Sequence, residues 1–253
     1  MTGRVEELFS LARRTRGFMP DDEGAALYEA ARSAGMARTA RTARTARTGR
    51  TERTARTERT APTAHTERTA RDPGGTRRVF VEIGAWCGKS TIYLGAAAEM
   101  SGAVLFSVDH HRGSEENQPG WEYHEPDLVD LDDGRIDTLP HWRRAVAAAG
   151  LEGVVVGVVG DSATVASCWT TPVDFCFIDG GHGEAPAWAD YRGWAPLVAV
   201  GGFLAIHDVF PDPADGGRPP YELWCDAMSS GAWTQEAVCG SLRVARRVRS
   251  DHR

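Results

Sequence analysis

The 253-residue chain contains a single lysine, Lys89, against 28 arginines. That bias reflects a GC-rich coding source rather than a chemical requirement. Cysteine is equally uninformative as a framework. Cys87, Cys168, Cys176, Cys225 and Cys239 are five in number and without close spacing, which excludes a disulfide scaffold and a clustered zinc site and leaves reduced, mostly buried thiols as the expectation. No apolar run approaches the roughly 20 residues of a membrane span. The opening Met-Thr-Gly-Arg-Val-Glu-Glu lacks an apolar signal region, so no membrane association and a cytoplasmic location are expected.

Hydrophobic residues make up 42% of the chain and charged residues 25%, values ordinary for a globular α/β domain. The formal net charge of −6 is unevenly spread. Residues 36–71 carry ten Arg and three Glu, or +7, which leaves −13 for the rest. So acidic a body is a poor general surface for nucleic acid, and no nucleic-acid partner is expected. The basic stretch is an Ala-Arg-Thr repeat with Arg at every third position from Arg38 to Arg59 and again at Arg68 and Arg71. It has almost nothing larger than alanine to bury, and a period of three gives a 3.6-residue helix no constant face. It is therefore expected to be a disordered insertion. The division that follows is N-terminal helices at 1–35, the repeat at 36–76 and a catalytic domain at 77–253. Helical spacing is present at Val5–Arg16 and Asp22–Ala34, with Asp21 or Asp22 able to cap the second helix.

Beyond the repeat, apolar runs alternate with helical segments. Strands are predicted at Val79–Ile83, Val104–Val108, Val154–Val159, Val173–Ile178 and Phe203–Ile206. Helices are predicted at Ser90–Met100, Leu139–Ala149, Ala185–Ala195 and from Pro219-Pro220 to Ser229. The tail from Trp233 to Val248 reads as a hairpin. Strand–helix alternation of this kind builds a doubly wound, mostly parallel sheet.

The chain is organised around Val79-Phe-Val-Glu-Ile-Gly-Ala-Trp-Cys-Gly-Lys-Ser-Thr91. A buried strand runs into a glycine turn and then a helix N-terminus, the geometry that binds nucleotide-like ligands at the carboxyl edge of a sheet. Two familiar phosphate motifs nearly fit and fail. A P-loop needs four residues between its glycine and Gly-Lys-Ser, whereas Gly84 and Gly88 are separated by three. The dinucleotide fingerprint places a glycine where Trp86 stands, and Glu82 would repel phosphate but suits a cationic amino group.

Val-Glu-Ile-Gly-x-x-x-Gly-Lys-Ser-Thr resembles motif I of class I S-adenosyl-L-methionine (SAM) methyltransferases, closest to the subgroup with cephalosporin-type and macrolide-sugar O-methyltransferases. The resemblance covers about Arg77 to Val248. It implies a seven-stranded Rossmann-like sheet whose final hairpin strand is antiparallel, SAM as cofactor, and methyl transfer to a small-molecule acceptor, with a hydroxyl oxygen expected. Glu82 and Gly84 would lie by the methionine moiety, with Gly88, Lys89 and Ser90 supplying backbone donors. Asp109 would accept bonds from both ribose hydroxyls, as acidic residues also do in dinucleotide folds, and His110 would line the cofactor or substrate. Asp161 and Ser162 would contact adenine. Asp179, a further cofactor and catalytic candidate, joins His207 and Asp208 as a set of oxygen and imidazole ligands. The resemblance leaves Mg²⁺ assistance open there, although His207 departs from the carboxylate usual at its position. His182, in a Gly-Gly-His-Gly turn, resembles the general base of related sugar O-methyltransferases. The polar segment His110–Asp137 is a candidate lid, with Trp121, Tyr123, His124 and also Trp86 available to touch substrate. A second candidate wall is the Pro/Gly-rich Phe210–Tyr221.

Two other function classes compete. One is a nucleotide-binding enzyme of P-loop or dehydrogenase type, supported only by Gly-Lys-Ser-Thr at the wrong spacing. The other is a non-catalytic SAM-fold module recruited through the arginine repeat. A homo-oligomer is compatible with the sequence.

Overall fold

A computed structural model of the chain describes residues 3–48, 77–121 and 123–250, with only the backbone described at 37–48. Seven strands form one sheet: β1 Val79–Ile83, β2 Val104–Asp109, β3 Val155–Val159, β4 Val173–Ile178, β5 Val198–Ile206, β6 Trp233–Cys239 and β7 Leu242–Arg247. Their order is β3-β2-β1-β4-β5-β7-β6. The first five pair in parallel, while β7 runs antiparallel to both β5 and β6. This is the doubly wound, mostly parallel arrangement with a C-terminal hairpin expected from the alternation. The strand order reverses between β1 and β4, and the carboxyl edge at such a reversal is where open α/β sheets bind ligands.

The apolar strand sequences explain the two-sided burial. Every residue of β1 and β4 is buried, as central parallel strands covered by helices require. One face is covered by α1 Gly3–Arg14, α2 Asp21–Thr48, α3 Lys89–Ser101 and α4 Leu139–Ala148. The other carries α5 Ser162–Ser167, α6 Glu184–Trp194 and α7 Arg218–Ser229. In α1 the buried residues Val5, Leu8, Phe9 and Ala12 fall at i, i+3, i+4 and i+7, one stripe of a helix. Phe9 packs edge-on to Tyr28 of α2 and Tyr93 of α3, with ring centroids at 5.1 and 4.9 Å. Burying each such side chain contributes about 2 kcal/mol. The N-terminal helices are thus built into the same core as the sheet.

Helix α2 differs from its expected extent. It does not stop at Ala34 but continues to Thr48, taking in residues 37–48 of the repeat. Alanine and arginine are good helix formers, and an existing helix extends without a new nucleus. The disorder expected of the rest of the repeat, residues 49–76, falls outside the described residues. No helix among those described is long and apolar enough to cross a membrane.

Candidate active site

Gly84 follows the last residue of β1 and takes φ +83°. A Cβ there would stand 2.1 Å from the carbonyl oxygen of Asp179. Only glycine lets the turn after β1 lie this close to the end of β4. The chain then passes through Trp86, whose backbone is also left-handed at φ +47°. For a non-glycine residue that conformation costs on the order of 1 kcal/mol or more and survives only where neighbours enforce it. Here Asp109 at the end of β2 does so. Its Oδ2 accepts from the backbone N–H of Ala85 and Trp86 at 2.8 and 2.9 Å, and its Oδ1 from that of His111 at 2.7 Å. Gly88, at φ +97°, brings the chain into α3, whose N-terminal residues Lys89 and Ser90 face a cleft of about 650 Å³. The cleft lies along the carboxyl edge of the sheet. Gly84, His110, Asp161, Ser162, Asp179, His182, His207 and Asp208 also line it.

Several expected roles change in this geometry. Glu82 does not reach the cleft. It lies within β1 rather than beyond its end, so its side chain points off a face of the sheet. It is 0% exposed, and its carboxylate accepts from the hydroxyls of Ser90, Thr91 and Ser107 at 2.6, 2.7 and 2.7 Å. Burial pushes its pKa up and the three hydroxyl donors pull it back, to about 7. Asp109 can offer a ribose less than expected. A carboxylate has about four lone-pair positions, and three are filled by backbone donors, so one remains for a hydroxyl rather than two. Asp161 stands on the rim and caps α5, its Oδ1 accepting from Thr164 N and Oγ1 at 2.7 and 2.6 Å. Ser162 donates to Asp190 of α6, a carboxyl that burial raises to about 6. His110 is exposed on the rim, and its Nδ1 accepts from Arg112 N at 3.0 Å. Lys89 turns its ammonium to Asp21 at 3.2 Å.

The acidic set at the ends of β4 and β5 is also regrouped. Asp179, His182 and Asp208 present ligand atoms all within 4.8 Å of one another. His207, expected among them as a metal ligand, is instead locked away from that role. Its ring is 4% exposed. Nε2–H donates to Oε2 of Glu23, from α2, at 2.6 Å, and Nδ1–H faces Asp179 at 3.1 Å and Asp208 at 3.4 Å. Burial lowers its pKa, but attraction to Asp179 and bonds to Asp208 and Glu23 raise it to about 12. A ring protonated on both nitrogens has no lone pair for a cation. His182 lies between Asp208 and Glu116, with Nε2 at 3.1 Å from one and Nδ1 at 3.2 Å from the other. Burial pulls its pKa down, and the bonds to Asp208 and Glu116 lift it to about 10. Asp208 is held well below the usual carboxylate range by the same two imidazoles, which outweigh its burial. Its backbone is left-handed, at φ +55°.

Sequence reasoning missed Glu23, Glu116 and Asp190. Glu23 comes from 184 residues away in the chain, and nothing local marks it. The only available signal was an acidic residue in the first turn of an otherwise apolar-faced helix, which also reads as an ordinary capping charge.

A sequence profile described as a methyltransferase domain matches residues 81–209. Among solved structures, an O-methyltransferase of tomaymycin synthesis from Streptomyces achromogenes, in complex with SAM, superposes with a TM-score of 0.54 at 13% identity over 98% of this chain and 91% of its own. An O-methyltransferase from Bacillus cereus in complex with SAH gives 0.55 at 15% identity, over 98% and 92%. An SAH-bound methyltransferase from Podospora anserina gives 0.56 at 11% identity, over 98% and 89%. At these identities the likeness is one of fold.

Proposed function

This chain belongs to the methyltransferase-domain family, and from that premise we propose that it transfers the methyl group of SAM to a hydroxyl oxygen of a small molecule. SAM supplies an already electrophilic methyl group, so the residues have mainly to bind, orient and exclude water. Gly84, Gly88 and the N-terminus of α3 form the cofactor turn. The acidic lining of the cleft suits a ligand bearing a sulfonium and an ammonium group. Asp109 offers its remaining acceptor position to a ribose hydroxyl, and Gly160, Asp161 and Ser162 close the adenine end.

The observation that carries the catalytic reading is the placement of His182 on the cleft wall between Glu116 and Asp208. As general base, His182 acts in its neutral form: one ring nitrogen turns from its carboxylate to the acceptor's hydroxyl and takes the proton as the oxygen–carbon bond forms and the carbon–sulfur bond breaks, releasing SAH. The two carboxylates orient the ring and stabilise the imidazolium that results. His182→Ala should lower kcat for SAH formation by ~10²–10⁴ and leave the SAM Kd within about threefold. Unchanged kcat would remove His182 from the chemistry. Because the raised pKa leaves the basic form fully populated only above about 10, kcat/KM should still be climbing between pH 7 and 9. A plateau by pH 7 would contradict the role.

The compact Asp179–His182–Asp208 set favours a second reading. These residues would hold a divalent cation, with Mg²⁺ the hard-ligand candidate, supplying Lewis-acid activation of the acceptor. His182 cannot ligate that ion and serve as the base through the same nitrogen, so chelation separates the two readings. We take residues 77–253 as the methyltransferase domain, 1–35 as helices packed into its core, and the repeat at 36–76 as an insertion between them.

A further inference from the structure

Three aromatic rings meet at the mouth of the cleft from three separate parts of the chain. Phe18 comes from the link between α1 and α2, Trp86 from the cofactor turn and Tyr123 from the segment between β2 and α4. Phe18 lies 5.9 Å from Trp86 at an interplanar angle of 42° and 5.6 Å from Tyr123 at 75°. All three line the cleft. Phe18 is 57% exposed and Tyr123 is 47% exposed. Exposed aromatics converging on a concave site are unusual unless something covers them.

The corner is built. Asp109 holds Trp86 in its left-handed backbone. Arg16, two residues before Phe18, pairs with Glu125 at 2.8 Å and with Asp127, so the link is clipped to the segment that bears Tyr123. The corner is also tied to the base. The backbone N–H of Tyr123 donates to the carbonyl of Glu116 at 3.2 Å, and the Glu116 carboxylate holds His182. Rings inclined to one another make a concave aromatic corner rather than a flat platform. They suit a planar ring taken edge-to-face or offset, more than a saturated ring that needs many hydroxyl partners. The carboxylates that line the cleft outnumber its cations, Lys89, His182 and His207, and Arg16 is spent on Glu125 and Asp127. Glu116, Asp179 and Asp208 surround His182, and Glu115 and Asp215 also line the cleft.

We propose that Phe18, Trp86 and Tyr123 form the acceptor subsite, and that the acceptor is an uncharged aromatic compound presenting a ring hydroxyl to His182. This deepens the methyltransferase reading and rests on it. Acceptors carrying carboxylate or phosphate groups are disfavoured by the excess of carboxylates on that wall.

Calorimetry on the full chain saturated with SAH tests the subsite without requiring turnover. The probes are 2-naphthol, 2-naphthoate and methyl α-glucoside. 2-Naphthol should bind at least tenfold more tightly than either of the others. Phe18→Ala and Tyr123→Ala should each weaken it about fivefold while leaving the SAH Kd within twofold. SAH binding without 2-naphthol binding, a preference for the glucoside or the naphthoate, or indifference to both substitutions would overturn the subsite alone. Failure of the wild-type chain to bind SAH would instead sink the methyltransferase reading beneath it.

Discussion

Two buried glutamates, one under each half of the cleft, meet opposite electrostatic fates. Glu82, beneath the cofactor turn, is surrounded by three neutral hydroxyls, and its pKa rises to about 7. Glu23, beneath the acidic end, is 4% exposed. Burial raises its pKa too, but the His207 imidazolium and the backbone N–H and hydroxyl of Ser241 more than reverse this. Low exposure by itself therefore does not fix charge state. Neutral donors satisfy hydrogen bonds without repaying the desolvation of an anion, whereas a cation and a fixed peptide dipole do. One region is a near-neutral staple that shapes the turn, and the other is an ionic array that holds imidazoles in place.

The largest effect should come from forcing the two regions apart where they touch. Gly84→Ala puts a methyl group against the Asp179 carbonyl at a φ of +83°. It should cost on the order of 3–5 kcal/mol, read as a large fall in Tm. A Tm within 2 °C of wild type would mean the turn relaxes freely. Next, Glu23→Ala should cost about 3 kcal/mol by leaving the His207 cation buried and short of a partner, with Glu23→Gln costing less. Equal Tm values for Glu23→Ala and wild type would show that the array does not depend on α2.

Glu82 gives a smaller effect with a pH signature. Its folded pKa lies above the unfolded value, so the folded state binds this proton more tightly. Its contribution to stability is therefore fully present below pH 4.5 and lost as pH rises to about 7, on the order of 3 kcal/mol across that window. Glu82→Gln should flatten the fall by about 2 kcal/mol when urea unfolding is compared at pH 5 and pH 7.5, since part of the window lies below pH 5. An unaltered slope would show Glu82 to be ionised throughout. Glu23 moves the other way around, while His207 runs in the same direction as Glu82. Glu23, with a lowered pKa, contributes above the ordinary carboxylate range and loses it as pH falls. His207 contributes fully below 6.5 and loses it only as pH climbs toward about 12. The smallest effect expected is from EDTA, with turnover within twofold of untreated enzyme. A loss above tenfold restored by Mg²⁺ would recast His182 as a metal ligand.

The frame of the molecule was legible in the sequence because strand–helix alternation and apolar runs follow from local burial. The turn at Gly84 and Gly88 was legible for the same reason, since glycine in such a turn answers a backbone demand. The pairing of side chains at the sheet edge was not. A residue's position at a strand end says that it nears the edge, but not whether it points off a face, as Glu82 does, or which partner takes its lone pairs, as three backbone N–H groups do for Asp109. His207 is adjacent to Asp208 in sequence, yet its partner Glu23 arrives from another helix. The aromatic corner needed Phe18, a residue in a short link with no periodic pattern around it.

Cofactor identity is measured most directly by calorimetric titration of the purified chain with SAM, with ATP as control, in EDTA and then in millimolar Mg²⁺. Micromolar SAM binding is expected under both conditions, and none for ATP. Absence of SAM binding, or tighter binding of ATP, would contradict the methyltransferase reading and return the Gly-Lys-Ser-Thr turn to the phosphate-binding class.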